Sequence, residues 1–123
     1  MYKVVSVGGG GELWSATRIL PTRYVEWEWV EASVGGLLVF DDEDLAIDFA
    51  CKLFHDLPTQ VWECDVEGEV KLPAFRVCSR DVGDLPELVR RLWEQGLGWF
   101  VGADYWPRGT RAFKRVRLVR RIK

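Results

Sequence analysis

The chain has 123 residues, a length typical of one folded domain and short for two. Its composition is 48% hydrophobic and 29% charged, which is globular and excludes a disordered tail. No apolar run approaches the ~20 residues of a membrane span, and the N-terminus lacks the apolar core of a signal peptide. Three cysteines at wide spacing disfavour a disulfide scaffold. We therefore predict a single cytoplasmic domain, residues 1–123, with no membrane association.

Charge is strongly divided along the chain, although the net charge is only −2. Residues 1–89 hold 17 acidic and 7 basic residues, whereas residues 90–123 hold 2 acidic and 10 basic ones. Such a division is typical of a basic segment that binds nucleic acid or another polyanion. It is equally typical of a basic segment that pairs with an acidic one inside the same fold.

The first half of the chain alternates strand patterns with turns. Residues 2–19 predict a hairpin whose turn is the four-glycine run at 8–11. A phosphate-binding loop is disfavoured, because such a loop needs a Lys-Ser/Thr pair and a helix after the glycines, and neither follows here. The alternation over residues 24–31 predicts one half-buried strand, with Val25, Trp27 and Trp29 on one face and Glu26 and Glu28 on the other. Residues 37–40 predict a short apolar strand, and the acids at 41–44 begin an amphipathic helix over 42–56.

The second half predicts further strands and a second helix. Residues 61–67 alternate, with Trp62 and Cys64 inward and acids outward, and a short strand follows at 75–79. A capping pattern at Asp84 begins a helix that ends at Gly96. Residues 115–122 predict a last strand with arginines outward. If 61–67 and 115–121 are neighbours, their opposite charges pair, each pair contributing about 0.2–1 kcal/mol.

These elements together predict an α+β fold. The expected architecture is a mainly antiparallel sheet of five to seven strands with two helices packed on one face. No internal repeat and no linker divides the chain.

One face of the first predicted helix carries residue types that bind transition metals: Asp44, Asp48, Cys51 and His55. A structural zinc site normally draws ligands from more than one element, so we interpret this face as solvated and predict neither metal nor cofactor. His55 is the single histidine, and no orienting group for a Cys51–His55 pair is identifiable. No catalytic residue is predicted, and a non-enzyme is favoured.

Seven tryptophans are the most unusual feature of the composition. Several aromatic residues precede the basic C-terminal segment, where rings can complete the core, anchor a protein partner or stack on bases. The predicted binding residues, for a partner or for nucleic acid, are Trp99, Phe100, Tyr105, Trp106, Arg108, Arg111, Lys114, Arg115 and Arg117. The leading hypothesis is a non-catalytic interaction protein that binds a protein partner. The alternative is nucleotide or single-stranded nucleic-acid binding by residues 99–117, and homo-oligomerisation stays open.

Short segments spread over most of the chain resemble a group of small bacteriophage and bacterial proteins with no assigned activity. They include residues 2–5 (YKVV), 13–15 (LWS), 36–40 (GLLVF), 61–68 (VWECDVEG) and 116–118 (VRL). The resemblance implies a small α+β unit and a role as a host-interaction or anti-defence factor.

The order of elements is also similar to the split sheet of ADP-ribosyltransferase-like domains. In that family a first-strand Arg or His, a serine-bearing strand and a late Glu hold and act on NAD. The resemblance implies these roles for Arg18, Ser15 and either Glu63 or Glu67, and it supplies a third hypothesis, an enzyme acting on NAD.

Overall fold

A computed structural model describes residues 1–16, 22–52, 58–72, 90, 93 and 106–123 with their side chains, and the backbone of 76–77 and 103–104. Nine strands and one helix lie in these ranges. They are β1 (Tyr2–Val7), β2 (Leu13–Ser15), β3 (Arg23–Tyr24), β4 (Trp29–Glu31), β5 (Leu37–Phe40), α1 (Glu43–Lys52), β6 (Thr59–Val70), β7 (Arg76–Val77), β8 (Ala103–Asp104) and β9 (Thr110–Arg121).

Four antiparallel strands close into a barrel. β1 pairs with β6, β6 with β9, β9 with β5, and β5 returns to β1 through the pair Tyr2 and Phe40. β2 and β3 extend the sheet from β1, β4 lies beside β9, and β7 pairs with β8 in a separate ribbon. The long strands β6 and β9 can bend because their register shifts between Glu63 and Cys64, and Gly68 adopts a positive φ of 70°.

Two apolar clusters form on the two faces of this sheet. The barrel interior holds Val5, Tyr24, Leu37, Val39, Trp62, Cys64, Phe113, Val116 and Leu118. The second cluster lies under the helix and contains Val4, Ala16, Phe40, Ala46 and Val61. Strand alternation separates the two clusters, since successive residues such as Val4 and Val5 point to opposite faces.

Helix α1 packs on the outside of β1, β5 and β6. Asp42 caps it, because its Oδ1 accepts a hydrogen bond from the Leu45 N–H at 3.0 Å. Ala46 is fully buried, and Phe49 meets Phe40 with ring centroids 5.2 Å apart. The predicted acid-rich start of this helix is confirmed, while residues 53–56 of the prediction lie outside the described residues.

The predicted layer of two helices on one face is wrong. The described residues contain one ten-residue helix, and the sheet buries its inner face by closing on itself instead of by packing under a helical layer. Alternation along each strand does not distinguish an open sheet from a closed one, since both bury alternate residues. Of the second predicted helix, starting at Asp84, only Arg90 and Trp93 are described, and both have helical backbone.

The predicted continuous strand over 24–31 is also wrong. It is broken into β3 and β4 by a turn at Val25–Glu28, where the Glu28 N–H donates to the Val25 carbonyl at 3.1 Å. Trp27 in this turn has φ 69°, a left-handed conformation that ends a strand.

The glycine-rich turn is confirmed as the connection of the β1–β2 hairpin. The Glu12 carboxylate folds back over it, so that a Cβ at Gly8 would overlap that carboxylate. Hydrogen bonds from the backbone N–H of Glu12 itself, then from the Trp14 side chain and the Gly10 backbone, hold the pKa of Glu12 below its ordinary value.

Candidate functional site

The outer faces of β6 and β9 form a ladder of ion pairs. β9 presents arginines directly opposite carboxylates of β6, with Arg115 Nη1 2.8 Å from Glu67 and Arg117 Nη2 2.6 Å from Asp65. Two further pairs extend the ladder at its ends, Arg111 with Glu69 at 2.6 Å and Arg120 with Glu63 at 2.8 Å. The acidic and basic strands are therefore neighbours, and of the two alternatives that the division of charge left open, the basic segment takes the pairing with an acidic segment of its own fold.

The strongest geometry in this ladder is at Arg111. Its Nε and Nη2 donate to the two carboxylate oxygens of Glu69 at 2.6 and 2.8 Å, which is a bidentate contact. These hydrogen bonds hold the pKa of Glu69 below its ordinary value. The ladder is solvent-exposed, so each pair adds little stability, but together the pairs neutralise most of the basic strand.

The Trp29 ring of β4 covers two of the arginines on the side away from β6. The Trp29 ring lies 4.6 Å from the Arg115 guanidinium carbon and 4.8 Å from that of Arg117. Glu31 adds a carboxylate 3.6 Å from Arg115 Nε. Both guanidinium groups are thus held between carboxylates and an indole, an arrangement that fixes their side chains.

Trp27 projects from the turn beside this cluster. Its side chain is 60% exposed, and its neighbour Val25 is 43% exposed; these are the two large hydrophobic residues that stand out on the described surface. The Trp27 backbone is fixed, because its N–H donates to the Leu118 carbonyl of β9 at 2.9 Å. Its ring lies 6.0 Å from the Arg117 guanidinium carbon. A rigid backbone therefore holds a large apolar ring in solvent.

Two glutamates adjoin Trp27 in the chain. Glu26 and Glu28 are both exposed, and neither forms an ion pair with any other described residue. The ion-pair ladder and the turn at 25–28 therefore differ in charge. The arginines beneath are neutralised, while the turn at 25–28 keeps free negative charge around Trp27. We call Val25, Glu26, Trp27, Glu28, Trp29 and Glu31 the tryptophan surface.

The predicted binding residues are distributed over several places. Arg115 and Arg117 lie in the ladder and contact the tryptophan surface, whereas Arg111 lies at the far end of the ladder. Trp106 is half-buried, with its ring centroid 6.5 Å from that of Trp93, and Arg108 and Lys114 are exposed. Trp99, Phe100 and Tyr105 lie outside the described residues.

Trp27 and Trp29 were not predicted to be surface residues. The strand pattern over residues 24–31 was the reason. It placed both on the buried side of one strand, because alternation with glutamates normally marks a half-buried strand. The available signal was compositional, since seven tryptophans exceed what a core of this size readily accommodates. The abundance of tryptophan was instead related to the aromatic residues that precede the basic C-terminal segment.

The barrel interior also holds a small polar cluster. Lys3 is 6% exposed, and its Nζ donates to the Leu38 carbonyl at 2.6 Å and lies 5.3 Å from the centre of the Tyr24 ring. Burial lowers the pKa of Lys3 to about 8 and raises the pKa of the Cys64 thiol to about 11. Burial also raises the pKa of Tyr24, whose hydroxyl is buried without a hydrogen-bond partner.

The residues named for the enzymatic resemblance lie on different strands. Ser15 is on β2 and accepts a hydrogen bond from the Thr22 N–H at 3.2 Å, whereas Glu63 and Glu67 are on β6 and pair with arginines. β1 separates these two strands. Arg18 lies outside the described residues.

The predicted solvated face of α1 carries Asp44, Asp48 and Cys51, all exposed, and Asp48 pairs with Lys52 at 2.8 Å. His55 lies outside the described residues. In the part of the chain that the structure describes, no helix has the length and apolar character needed to cross a bilayer.

Comparison with known proteins gives no match to a protein-family model, a curated protein or a solved structure. The two resemblances drawn from the sequence therefore stay predictions, and the candidate site rests on its own geometry.

Proposed function

We propose that the protein is a non-catalytic interaction protein that binds a protein partner through the tryptophan surface, acting in the cytoplasm as a small host-interaction or anti-defence factor. The observation that carries this proposal is Trp27. A residue with a side chain at positive φ is strained, and such strain concentrates at functional positions. Here the strained backbone serves to hold an indole in solvent, and tryptophan is the residue type most enriched in interface hot spots.

The charge arrangement favours a protein over a nucleic acid as the partner. Arg111, Arg115 and Arg117, which the sequence offered as phosphate ligands, already contact carboxylates at 2.6–2.8 Å. A phosphate would have to displace those carboxylates, and the free Glu26 and Glu28 beside Trp27 would repel it. Stacking of bases on Trp27 would therefore lack the electrostatic attraction on which single-strand binding depends.

The proposal is tested by a native pull-down from a lysate of the organism that encodes the protein, with nuclease added. We expect a stoichiometric protein that survives nuclease and is lost with Trp27→Ala. Removal of a central tryptophan anchor typically costs at least about 2 kcal/mol of binding free energy, or roughly thirtyfold in affinity.

Lys52→Ala is the matched control. Lys52 is exposed on α1, away from the tryptophan surface, so this variant should retain the partner. Capture that disappears with nuclease would favour nucleic-acid binding instead. A partner that Trp27→Ala retains at full strength would contradict the proposed surface.

A further inference from the structure

We propose that the partner binds as an extended basic segment that adds a strand to the free edge of β4, with its Lys or Arg side chains facing the carboxylates of the tryptophan surface. This inference rests on the proposed function and specifies the partner's chemistry and binding mode. Three independent features of the described residues lead to it: the backbone of β4, the charge order across the sheet, and the exposed indole.

The first feature is the hydrogen-bonding pattern of β4. The Ala32 N–H donates to the Lys114 carbonyl at 2.9 Å, and Val30 is opposite Val116. In an antiparallel pair, hydrogen-bonded positions alternate, so Val30 and Ala32 point their backbone groups at β9. Trp29 and Glu31 consequently point their N–H and C=O groups away from β9.

No strand lies on that outer side in the part of the chain that the structure describes, where β4 ends the sheet path. Such an edge is a template for an incoming strand, because its unpaired N–H and C=O groups accept a complementary backbone about 4.8 Å away. Peptide recognition by strand addition obtains affinity from these backbone bonds and specificity from alternate side chains.

The second feature is the order of charges across the outer face. β6 is acidic with Asp65 and Glu67, the next strand β9 is basic with Arg115 and Arg117, and β4 follows with the carboxylate of Glu31. Opposite charges stabilise neighbouring strands, whereas like charges destabilise them. A strand beside β4 therefore completes the alternation when it is basic.

The same argument disfavours a second copy of this chain pairing through β4. Two copies of the segment 25–31 would bring the carboxylates of Glu26, Glu28 and Glu31 together, and this segment contains no basic residue to offset them.

The third feature is Trp27 at the end of the edge. Its ring contacts Arg117 at 6.0 Å and is 60% exposed, so most of its surface is open to a partner. An indole face attracts a guanidinium or ammonium group. The exposed Glu26 and Glu28, the neighbours of Trp27 in the chain, give this turn a negative charge that adds to the attraction. A Lys or Arg of the added strand fits this position chemically, whereas a phosphate or a carboxylate does not.

The test uses fluorescein-labelled peptides of alternating lysine and valine, about seven residues long as in a typical strand, titrated with the full-length protein by anisotropy. The matched peptides replace lysine by glutamate, or carry N-methyl groups on alternate backbone nitrogens. We expect binding of the lysine peptide, and at least about tenfold weaker binding of the glutamate and N-methylated peptides.

The protein variant for this test is the triple change Glu26→Gln, Glu28→Gln and Glu31→Gln, which retains both tryptophans. We expect it to bind the lysine peptide at least about tenfold more weakly and with less dependence on salt. Asp48→Asn, which removes an exposed carboxylate on α1, is the control and should bind as the wild-type protein does.

Equal affinity for the N-methylated peptide would overturn strand addition, and equal affinity for the glutamate peptide would overturn the basic partner. Absence of lysine-peptide binding would also overturn this inference. If the nuclease-resistant partner is still lost with Trp27→Ala, the proposed function survives that failure. If no Trp27-dependent partner exists, both fall.

Discussion

Replacement of the buried lysine by Lys3→Met should stabilise the protein and remove a pH dependence of its stability. Among the described residues, Lys3 Nζ has one acceptor, the Leu38 carbonyl, and it also contacts the Tyr24 ring. Burial lowers its pKa from 10.5 to about 8, a difference that corresponds to about 3 kcal/mol of destabilisation when the amine is protonated. Loss of the hydrogen bond offsets about 1 kcal/mol, so a gain of about 2 kcal/mol at pH 7 is expected.

The sign of the pH dependence follows from proton binding. Between pH 8 and pH 10.5 the folded protein binds fewer protons at Lys3 than the unfolded chain does, so the free energy of unfolding rises with pH. The penalty is complete below pH 8. From pH 7 to pH 9 the gain attributable to Lys3 is about 1.3 kcal/mol.

Two neighbouring groups act in the opposite direction at higher pH. The pKa of Cys64 is raised from 9.0 to about 11, and that of Tyr24 is raised above 10.0, so stability is lost as pH rises beyond those ordinary values. The N-terminal amine also lies near enough to influence Cys64. All three groups are present in both proteins, and Lys3 itself lowers the pKa of Cys64. The difference between wild type and Lys3→Met therefore reports the lysine together with its interaction with Cys64.

The assay is urea unfolding followed by tryptophan fluorescence at pH 7, 8 and 9, with a thiol reductant present. The midpoint of the wild-type protein should rise relative to that of Lys3→Met by an amount equivalent to about 1.3 kcal/mol. A parallel pH dependence of the two proteins, with Lys3→Met less stable at pH 7, would refute the reasoning about the buried amine.

Three further predictions concern the backbone at Gly35, the barrel interior and the ion-pair ladder. Gly35→Ala should lower the free energy of unfolding by at least about 1 kcal/mol in the same urea assay, because Gly35 has φ 61° and an added Cβ would overlap the Trp93 ring. Leu118→Ala should cost about 2–5 kcal/mol, because Leu118 is fully buried in the barrel interior. The ladder variant should gain salt-sensitive binding to a single-stranded oligonucleotide, measured by anisotropy, because its arginines are released from their carboxylates. It combines Glu63→Gln, Asp65→Asn, Glu67→Gln and Glu69→Gln. A stability equal to wild type in Gly35→Ala or in Leu118→Ala, or wild-type oligonucleotide binding as tight as that of the ladder variant, would contradict these interpretations.

The sequence predicted those strands, turns and helix ends that depend on residues close together in the chain. The strand at 37–40 and the hairpin at 2–19 follow from apolar runs and glycines, and the helix start at Asp42 follows from capping chemistry. The pairing of β6 with β9, whose partners lie 42–57 residues apart along the chain, was one of two alternatives. Complementary charges on two alternating strands favoured it but did not decide between it and a free basic segment.

Closure of the barrel was not predictable in the same way. It depends on β5 reaching β1 through one residue pair, and on the bulge and the glycine that bend β6. Both are tertiary features that leave the alternation of buried residues unchanged. A prediction that assumed an open sheet therefore required a helical layer to cover it, which the closed barrel does not need.

The candidate site was only partly predictable for a related reason. The arginines Arg115 and Arg117 were identified from their position in the basic strand, but their carboxylate and indole partners come from β6 and β4. Trp27 was assigned to a strand face because its positive φ has no sequence signal when the residue is not glycine, asparagine or aspartate. The exposure of the Trp27 indole is visible only in the folded structure.

The most direct test of the account compares Trp27→Gly with Trp27→Ala for stability and for partner capture. Both variants remove the ring, but only glycine relieves the positive φ, so Trp27→Gly should be about 1 kcal/mol more stable than Trp27→Ala and no less stable than wild type. Both should lose the nuclease-resistant partner. A Trp27→Gly protein that unfolds more readily than wild type while still capturing the partner would show that Trp27 supports the fold, and it would contradict the assignment of this surface to binding.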